Sequence, residues 1–304
     1  MLSSGMLSGG RKAVDVDERG DARPVVSIVM PAHNEEAVLA GSLRKLLAGS
    51  APGEFDVIVV ANACTDGTAE VAAEAGVQVI DTPVGGKPHA LRLGDARCRT
   101  FPRIYLDADV RLSAPSVRAL VAACARPGVL ACAPVPRLDL DGVGPVARRV
   151  HRVHERLIAP NRALAGVGAY VLTEAGHARV FPMPDVISDD GLVHASFAPA
   201  ERAVVPEAHT VVRPARTVSA YLNRRVRVRR GNRQLAGLGR RAPEGRLRLG
   251  SLVTLVTTRA VSPLDAGCYL GVLLADRALT RLRRDKGSGW GSDASSRLPL
   301  PGND

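Results

Sequence analysis

The sequence has few aromatic residues and very few lysines. Aromatic residues make up 3% of the 304 residues although 46% are hydrophobic, so the core has to be built mostly from Val, Leu, Ile and Ala. The formal net charge is +11, yet only four of the 41 basic residues are lysines. Such an arginine bias in a chain rich in Ala and Gly can come from GC-rich coding. The charge therefore does not by itself indicate a nucleic-acid partner, and scarce aromatic side chains leave little to stack on single-stranded bases.

Cysteines are few, and no apolar run is long enough to cross a membrane. The five cysteines form no CxxC motif, which argues against a disulfide framework or a zinc site and predicts a reducing, cytoplasmic location. The most apolar late stretch, Ser251 to Ala275, is interrupted by Arg259, Pro263 and Asp265, so it falls short of a membrane span. We expect two short amphipathic helices here, either packed on the domain or making a peripheral contact with the inner face of a membrane.

From Val25 onward, short β-rich runs alternate with helical stretches. Runs such as VVSIVM, FDVIVVA and RIYL are separated by segments with helical periodicity. This alternation predicts an α/β fold with a Rossmann-like, mostly parallel sheet and helices on both faces. Further along, we expect a helix over 113–125 capped by Ser113, a helix over 145–159, a pair of strands within 202–214 and a basic helix over 217–235.

The length of the chain suits one large α/β domain with an appendage. Residues 1–23 carry Gly, Ser and charge without a continuous apolar stretch, so we expect a disordered leader and not a signal peptide. We assign residues 24–235 to the α/β domain and residues 236–284 to a C-terminal helical extension. Residues 285–304, rich in Gly, Ser and Pro, are expected to form a disordered tail.

Each of the early predicted strands ends in a polar cluster, namely PAHNEE, NACTDGT, DTPVGGKPHA and DAD. Because ligands of open parallel sheets bind outside the carboxyl ends of the strands, these clusters predict a binding site at one edge of the sheet. Asp66 and Thr68 could equally cap a helix. No GxGxxG follows the first strand and no GxxxxGK[ST] loop surrounds Lys87, which argues against dinucleotide and Walker-type sites. Asp107 and Asp109 end a buried-looking strand, where ionised carboxylates need solvent, a cation or a cage of hydrogen bonds.

Several motifs occur in the order and at about the spacing seen in one enzyme family. They are VSIVMPAHNEE, VVANACTDGTAEVA, GGKPHALRLG, YLDADV, GVGAYVLT, ISDDGLVHASF and RRVRVRRGNRQ. With these motifs, the sequence from about Val25 to Leu235 resembles the family 2 glycosyltransferases. The resemblance implies a GT-A fold and an inverting transfer of a sugar from a nucleotide-diphospho-sugar, UDP- or GDP-linked, to an acceptor hydroxyl group.

The resemblance also implies a set of residues that bind the donor nucleotide. Glu35 is the acidic member of the loop that holds the nucleoside, Asp66 matches the aspartate that contacts the base, and Lys87 matches the basic residue near the diphosphate. The implied nucleotide-binding residues of this sequence are Pro31, Ala32, His33, Asn34, Glu35, Asn62, Asp66, Lys87, Asp107 and Ala108.

Asp107 and Asp109 match the DxD motif of the family. The resemblance implies that Asp107 meets the ribose or the metal, and that Asp109 is the firmer ligand of the Mg2+ or Mn2+ ion that bridges the two phosphates. The chemistry of the residues agrees, because hard divalent cations prefer oxygen ligands and Mg2+ sites commonly combine one or two carboxylates with phosphate and water. A solvated strand end or a helix cap is the alternative.

The motif ISDDG resembles the family element that carries the general base. By that alignment Asp190 takes the proton of the acceptor hydroxyl, and Asp189 stands where glutamate is commoner. Both are candidate catalytic residues. A closed cleft shared with other acids would raise the proton affinity of such a carboxylate, which suits a base. One aspartate could instead cap the helix that follows.

The arginine-rich motif matches the family's Q/RxxRW element. Arg227 takes the arginine position and is a candidate for holding the leaving diphosphate. Val228 replaces the tryptophan, which argues against a processive polymerase. A basic surface helix is the alternative, since ten arginines lie between Arg224 and Arg248. His151 and His154 are spaced as a metal pair on a helix but lack a third ligand, so we expect them at the surface or in an acceptor groove, the surface being favoured.

Together, the motifs predict a glycosyltransferase whose partners are a nucleotide sugar, Mn2+ or Mg2+, and an acceptor that is a small molecule, a lipid-linked compound or a glycan. A nucleic-acid partner is not expected. One alternative is a non-catalytic protein that binds nucleic acid or anionic membrane through residues 224–248, with steep salt dependence. A second is a sugar nucleotidyltransferase, which needs a Gly-rich triphosphate loop near the N-terminus, where PAHNEEAV offers none.

Overall fold

The computed structural model describes residues 23–162, 164–240 and 249–282. Residues 1–22 of the predicted leader, residues 241–248 of the arginine-rich segment and the whole predicted tail lie outside the described residues. The helices are α1 (Glu36–Leu47), α2 (Thr68–Glu74), α3 (Lys87–Asp95), α4 (Ala114–Cys124), α5 (Pro145–Ile158), α6 (Glu174–Val180), α7 (Asp189–Ala195), α8 (Val218–Gly237), α9 (Leu249–Thr257) and α10 (Pro263–Leu282).

The strands of the described residues form one sheet. They are β1 (Val26–Ala32), β2 (Phe55–Asn62), β3 (Gln78–Thr82), β4 (Arg103–Leu106), β5 (Arg111–Leu112), β6 (Ala131–Leu138), β7 (Ala169–Leu172) and β8 (Arg202–Val212). Their order across the sheet is β3-β2-β1-β4-β7-β6-β8-β5. The pairs β1–β2, β1–β4, β2–β3 and β6–β8 are parallel, whereas β4–β7, β6–β7 and β5–β8 are antiparallel. The predicted mostly parallel α/β sheet is confirmed.

Helices cover both faces of the sheet, as predicted. Ile28 of β1 packs in one apolar cluster with Leu43 of α1 and Leu120 of α4, whereas the neighbouring Val29 packs in a second cluster with Leu91 of α3. This alternation follows from the two-residue period of a strand. All eight residues of β2 are buried, which is typical of a strand covered on both sides.

Helix α3 lies unusually close to the sheet. A Cβ atom on Gly94 would be 2.4 Å from Cγ1 of Val29 in β1, so a glycine is needed at this contact. The close packing fixes the direction of α3 relative to the central strands. Its first residue, Lys87, is thereby held beside Asp107, at the carboxyl end of β4.

The prediction of two strands within 202–214 is wrong, because this segment forms the single bent strand β8. Val205 is paired with Pro134 of β6, but the next partners are His209 and Val135. The intervening residues of β8 bulge out of register. Pro206 has no N–H group to donate to the ladder, which accounts for the break in strand pattern at this point.

The C-terminal helices α9 and α10 pack on the α/β domain. Tyr269 and Val272 of α10 share one apolar cluster with Val150 and Val153 of α5 and with Tyr221 of α8. Two short helices were predicted in this stretch, either packed on the domain or at a membrane interface; the helices are present and packed, but α10 is long, with 20 residues. Within the described ranges, no helix combines the length and the apolar character needed to cross a bilayer.

His151 and His154 face the same interface, so the prediction of a surface position is wrong. Nε2 of His151 lies 2.8 Å from the carbonyl oxygen of Ala215, and Nδ1 of His154 lies 3.5 Å from the hydroxyl oxygen of Tyr269. Burial lowers the pKa of both imidazoles, that of His154 to about 4 with a further contribution from Arg225. They are neutral, packed residues of the junction between α5 and the C-terminal helices.

Candidate active site

The predicted polar clusters meet at one edge of the sheet. Because β1, β2, β3 and β4 are parallel, the loops that follow them all lie at the carboxyl edge. β6 is antiparallel to β7, which is antiparallel to β4, so the carboxyl end of β6 lies at this edge as well. The edge brings together residues that are far apart in the sequence, such as Lys87 and Asp189.

Lys87 is the centre of a group of acidic side chains at this edge. Its Nζ atom lies 2.6 Å from Oδ1 of Asp107 and 3.0 Å from Oδ1 of Asp189. The Lys87 side chain is 28% exposed, that of Asp107 39% and that of Asp189 4%. Burial lowers the pKa of Lys87, but the charges of Asp107, Asp189 and Asp190 outweigh it and raise the pKa well above its ordinary value. Lys87 is therefore a permanent cation among these acids.

The DxD residues lie in a turn just after β4. The backbone N–H of Asp107 donates to the carbonyl oxygen of Gly168 at 2.9 Å, and that of Val110 donates to the carbonyl oxygen of Asp107 at 3.0 Å. Asp107 and Asp109 are both partly exposed, whereas Ala108 between them is buried. The turn thus leaves both carboxylates accessible from solvent while the apolar residue between them packs inward.

The residues of this turn fit a divalent cation that arrives with phosphate ligands. Among the residues that the structure describes, no group of three or more His, Cys, Asp or Glu side chains forms a protein-only metal cage. Asp107 and Asp109 supply two hard oxygen donors, which matches a Mg2+-type site completed by phosphate and water. The ammonium of Lys87 already shows that this position favours a positive charge.

Asp190 is held by three hydrogen-bond donors. Its Oδ2 atom accepts from the backbone N–H of Gly166 at 2.7 Å, and its Oδ1 atom accepts from the Ser188 hydroxyl and the Gly191 N–H, each at 2.7 Å. The capping role at the start of α7 falls to Ser188, whose side chain accepts from Gly191 N–H. Asp190 therefore has a fixed orientation, and part of its surface remains exposed.

The two neighbouring aspartates have pKa values displaced in opposite directions. Burial, together with the charges of Asp190 and Asp107, raises the pKa of Asp189 although Lys87 opposes this. Burial also raises the pKa of Asp190, but Lys87 and the three hydrogen-bond donors outweigh it and place the pKa below its ordinary value. The expectation that Asp190 has a raised proton affinity is thus wrong for this structure, because its donors stabilise the ionised form.

Asn62 and Asp66 brace the loops of the site through their side chains. Asn62 Nδ2 donates to the carbonyl oxygen of Ala32 at 2.6 Å, and its Oδ1 atom accepts from the N–H of Gly86 at 3.1 Å. Asp66 accepts from the N–H groups of Thr68 and Glu36, each at 3.2 Å. The alternative role of Asp66 at a helix start is therefore observed, and both side chains hold the loops at this edge together.

The loop after β1 carries the other implied nucleoside contacts. Pro31 and Ala32 are the last residues of β1, and His33 is exposed with Nδ1 2.8 Å from the carbonyl oxygen of Asn62. Asn34 has a positive φ of 54° and accepts from the N–H of Thr65 at 2.8 Å. Glu35 is buried, with its backbone N–H donating to the Thr68 hydroxyl. These contacts tie the first two loops of the edge to each other.

Arg227 is exposed on α8, on the helix face that packs against the loop before α7. Gly231, one turn further on, lies against Ser188, and a Cβ atom there would be 3.0 Å from Ser188 Cβ. Gln234 Oε1 accepts from the N–H of Ile187 at 2.8 Å. Since residues four apart lie on one helix face, Arg227 is placed on the side of α8 that faces the loop before α7.

Sequence analysis missed two supports of the site. The Gly166–Gly168 loop provides both the N–H donor to Asp190 and the carbonyl acceptor for Asp107. Both glycines have positive φ, so the GVG spacing was the signal that could have identified a tight loop. Tyr170 of β7 is buried near Asp189, and neither its hydroxyl nor Asp189 Oδ2 makes a hydrogen bond with the described residues.

Comparison with known proteins shows a similarity to glycosyltransferases. Residues 27–169 match the model of the family described as Glycosyl transferase family 2. An uncharacterised glycosyltransferase of Mycobacterium tuberculosis is 37% identical over 103 residues, which cover 34% of this chain and 44% of that protein. The 4,4'-diaponeurosporenoate glycosyltransferase of Staphylococcus haemolyticus is 31% identical over 122 residues, covering 37% of this chain and 32% of that protein. The alignments thus span less than half of these curated relatives.

Solved structures with the same fold are similar over most of the chain. The mannosyltransferase PcManGT of Pyrobaculum calidifontis, in complex with GDP-Man and Mn2+, has a TM-score of 0.57 at 19% identity and covers 90% of this chain and 83% of its own. Glucosyl-3-phosphoglycerate synthase of Mycobacterium tuberculosis, in complex with Mn2+, UDP and glucosyl-3-phosphoglycerate, has a TM-score of 0.50 at 20% identity and covers 73% of this chain and 82% of its own. At these identities the likeness concerns the fold. The fold is the GT-A fold of these glycosyltransferases, and residues 27–169, just under half of the chain, match glycosyl transferase family 2.

Proposed function

We propose that the protein is an inverting glycosyltransferase that moves a sugar from a nucleotide-diphospho-sugar to an acceptor hydroxyl group with the help of a divalent cation. The proposal rests mainly on one observation: Asp107, Asp189 and Asp190 surround Lys87 at the open carboxyl edge of the sheet. Like charges this close require a cation, and an exposed edge allows a charged substrate to reach them.

In this proposal Asp107 and Asp109 hold the cation, and Lys87 contacts the diphosphate. The cation, when bound, neutralises charge on the phosphates as the nucleoside diphosphate leaves. A UDP- or GDP-linked donor with Mn2+ or Mg2+ is supported by the relatives of similar fold, one of which contains GDP-Man and Mn2+ and the other UDP and Mn2+. Pro31, Ala32, His33, Asn34, Glu35, Asn62, Asp66 and Ala108 would form or brace the nucleoside side of the site.

Asp190 is the proposed general base. The acceptor hydroxyl oxygen attacks the anomeric carbon and gives its proton to Asp190, while the bond from that carbon to the diphosphate oxygen breaks, so the configuration is inverted. A low pKa keeps the carboxylate ionised at neutral pH, and its donors from Gly166, Ser188 and Gly191 fix the oxygen that faces the acceptor. Asp189 would anchor Lys87, and Arg227 would contact the departing diphosphate from the side of α8.

The two alternatives are less well supported. A non-catalytic anion-binding protein would need its arginine-rich segment free, yet Arg225 and Arg229 both bind Asp276 of α10. A sugar nucleotidyltransferase would need a triphosphate-binding loop after β1. The described loop there is instead tied to the loop after β2 and the start of α2 by hydrogen bonds of Asn34, Glu35 and Asp66.

Calorimetric titration with UDP, GDP and dTDP, each with and without Mn2+, tests the proposal. We expect one nucleotide to bind in the presence of Mn2+ and to bind far more weakly without it. Nucleotide binding that ignores Mn2+ would contradict the metal role of Asp107 and Asp109. If none of the three nucleotides binds under either condition, the donor assignment is wrong.

A further inference from the structure

Helix α5 has one apolar face and one arginine face. Val150 and Val153 pack against the C-terminal helices. Arg148, Arg152 and Arg156 follow one another at intervals of four residues and therefore form a stripe on the other side of the helix. Like charges at this spacing destabilise an isolated helix slightly, so the stripe is not explained by helix stability.

The arginine stripe lines two adjoining cavities that share Arg152. The first, of about 340 Å³, lies at the start of α5 between Val143 and Arg149. The second, of about 500 Å³, lies between α5, the end of β6 and the segment before α10. Arg137, Arg152 and Arg156 line this larger cavity, and all three are exposed.

The acids that line the larger cavity are already paired with other arginines. Asp265 accepts from Nη1 of Arg149 at 2.5 Å, and Glu155 accepts from Nη2 of Arg162. By contrast, Arg137, Arg152 and Arg156 make no hydrogen bond or ion pair with any residue that the structure describes. The three guanidinium groups thus face one cavity without a direct ion pair, although Arg152 lies near enough to Asp265 to help lower the pKa of that carboxyl.

The larger cavity lies at the same edge of the sheet as the catalytic acids. It includes Pro136, which is paired in register with Thr210 of β8. The Thr210 hydroxyl donates to the carbonyl oxygen of Val167 at 2.8 Å. Val167 lies between Gly166, the donor to Asp190, and Gly168, the acceptor for Asp107. A short chain of direct contacts therefore links the cavity to both proposed catalytic carboxylates.

The larger cavity is lined by apolar side chains as well as by its arginines. Pro136, Leu138, Leu140 and Val261 contribute this surface. Guanidinium groups match phosphate oxygens through paired N–H donors, and an apolar wall accommodates the carbon skeleton next to such a group. The combination fits an organic phosphate better than an uncharged sugar.

We propose that this arginine-lined cavity is an acceptor subsite that binds a phosphate group of the acceptor through Arg137, Arg152 and Arg156. The proposal rests on the proposed function, because it assigns the substrate class of the same reaction. The phosphate belongs either to a soluble phosphorylated molecule or to a lipid headgroup, and the two sources share the recognition chemistry.

The test compares the variant R152Q/R156Q with the wild type and with R97Q/R126Q as control. Arg97 and Arg126 are exposed, make no side-chain hydrogen bond or ion pair with a described residue, and lie before β4 and β6, at the opposite edge of the sheet. The control thus removes the same charge elsewhere. Glutamine favours helix about as well as arginine, so folding should be retained and is checked by thermal unfolding.

The probes are glycerol 3-phosphate, measured by calorimetry, and phosphatidylcholine vesicles with or without phosphatidic acid, measured by sedimentation. Loss of two charge-assisted contacts should weaken binding at least about tenfold in R152Q/R156Q, with little change in the control. Binding of glycerol 3-phosphate indicates a soluble acceptor, and binding only to phosphatidic acid vesicles indicates a lipid acceptor. The proposal is overturned if the wild type binds neither probe, or if both variants lose binding equally.

Titration with UDP or GDP and Mn2+ separates this proposal from the proposed function. We expect R152Q/R156Q to bind the nucleotide as the wild type does, and the wild type to bind nucleotide and phosphate probe together. Competition between them would place the probe in the donor site and overturn the subsite. If the wild type binds the probe through Arg152 and Arg156 but binds no nucleotide, the result contradicts the proposed function and still supports the anion site.

Discussion

Asp189 and Asp190 are adjacent in the chain, yet one carboxyl is buried against Lys87 and the other is oriented by three hydrogen-bond donors. Asp189 Oδ1 lies 3.0 Å from Lys87 Nζ, and burial raises its pKa. The donors to Asp190 hold its pKa below the ordinary value. In the first turn of α7, Asp189 therefore holds Lys87 in place, and Asp190 presents an ionised carboxylate at the open edge of the sheet.

Asp190→Asn should leave donor binding intact and remove transfer. The amide cannot take the acceptor proton, and loss of a general base typically lowers turnover on the order of a thousandfold. Turnover and calorimetric binding of nucleotide with Mn2+ are measured on the same preparation. Glu74→Gln, which changes an exposed carboxyl at the end of α2 and away from the site, serves as the control. If Asp190→Asn abolishes nucleotide binding as well, Asp190 belongs to the donor site and is not the base.

Asp109→Asn should preserve the fold and abolish the Mn2+ dependence of nucleotide binding. The substitution keeps the size of a partly exposed side chain but removes a charge from the proposed metal site. We expect an unchanged melting temperature without ligand and a loss of the stabilisation that Mn2+ and nucleotide together give to the wild type. Near-normal turnover in this variant would contradict the metal role.

Lys87→Met should weaken donor binding and move the acid limb of the pH–activity profile to higher pH. The charge of Lys87 lowers the pKa of both Asp189 and Asp190, so its removal raises both pKa values. Transfer requires ionised Asp190 and would then fail at a less acidic pH than in the wild type. The profile of kcat/KM against pH measures the shift.

Lys87→Arg is the matched control for the charge. It retains a cation beside Asp107 and Asp189, so the acid limb should stay near that of the wild type even if donor binding changes. An identical shift in Lys87→Arg and Lys87→Met would show that the geometry of the lysine, and not its charge, governs the profile.

Local patterns were sufficient to predict the sheet and the edge at which the site lies. The alternation of β1 to β4 with α1 to α3 places their loops together by topology alone, so the encounter of Lys87 with Asp107 follows from parallel pairing. The role of Asn62 was not predicted, and for Asp66 the sequence left helix capping and base binding both open. Asn and Asp bind ligands and backbone groups with the same atoms, and only the folded loops show which they bind.

Long-range packing decided the remaining features. His151 and His154 are polar residues on a helix with an arginine face, and they contact residues far along the chain, His151 the carbonyl of Ala215 and His154 the hydroxyl of Tyr269. The partners Arg225 and Asp276 are about fifty residues apart and carry no local signal. Pro206 broke the strand pattern of β8, but nothing in its neighbours shows that the chain continues in the same strand after a bulge.

Asp276→Asn should destabilise the junction between α8 and α10, and the effect should depend on pH. Asp276 Oδ2 accepts from Arg225 Nε at 2.8 Å and from Arg229 Nη1 at 2.5 Å, and its side chain is 6% exposed. Burial raises the pKa of Asp276, but the two arginines outweigh this and lower it. Removing the carboxylate charge leaves the half-buried guanidinium groups of Arg225 and Arg229 without their anion. We expect this to lower the free energy of unfolding by about 3 kcal/mol near neutral pH.

The sign of the pH dependence follows from the lowered pKa of Asp276. A carboxyl with a lower pKa in the folded protein stabilises it above the unfolded pKa, and this stabilisation is lost as the pH falls through the folded value. The difference in the free energy of unfolding between wild type and Asp276→Asn should therefore be largest near pH 7 and shrink below about pH 4. Denaturant unfolding at several pH values measures it, with Glu74→Gln as the control. A difference that stays constant down to pH 3 would mean that packing of the side chain, and not its charge, joins α10 to α8, since protonation would then leave the contribution unchanged.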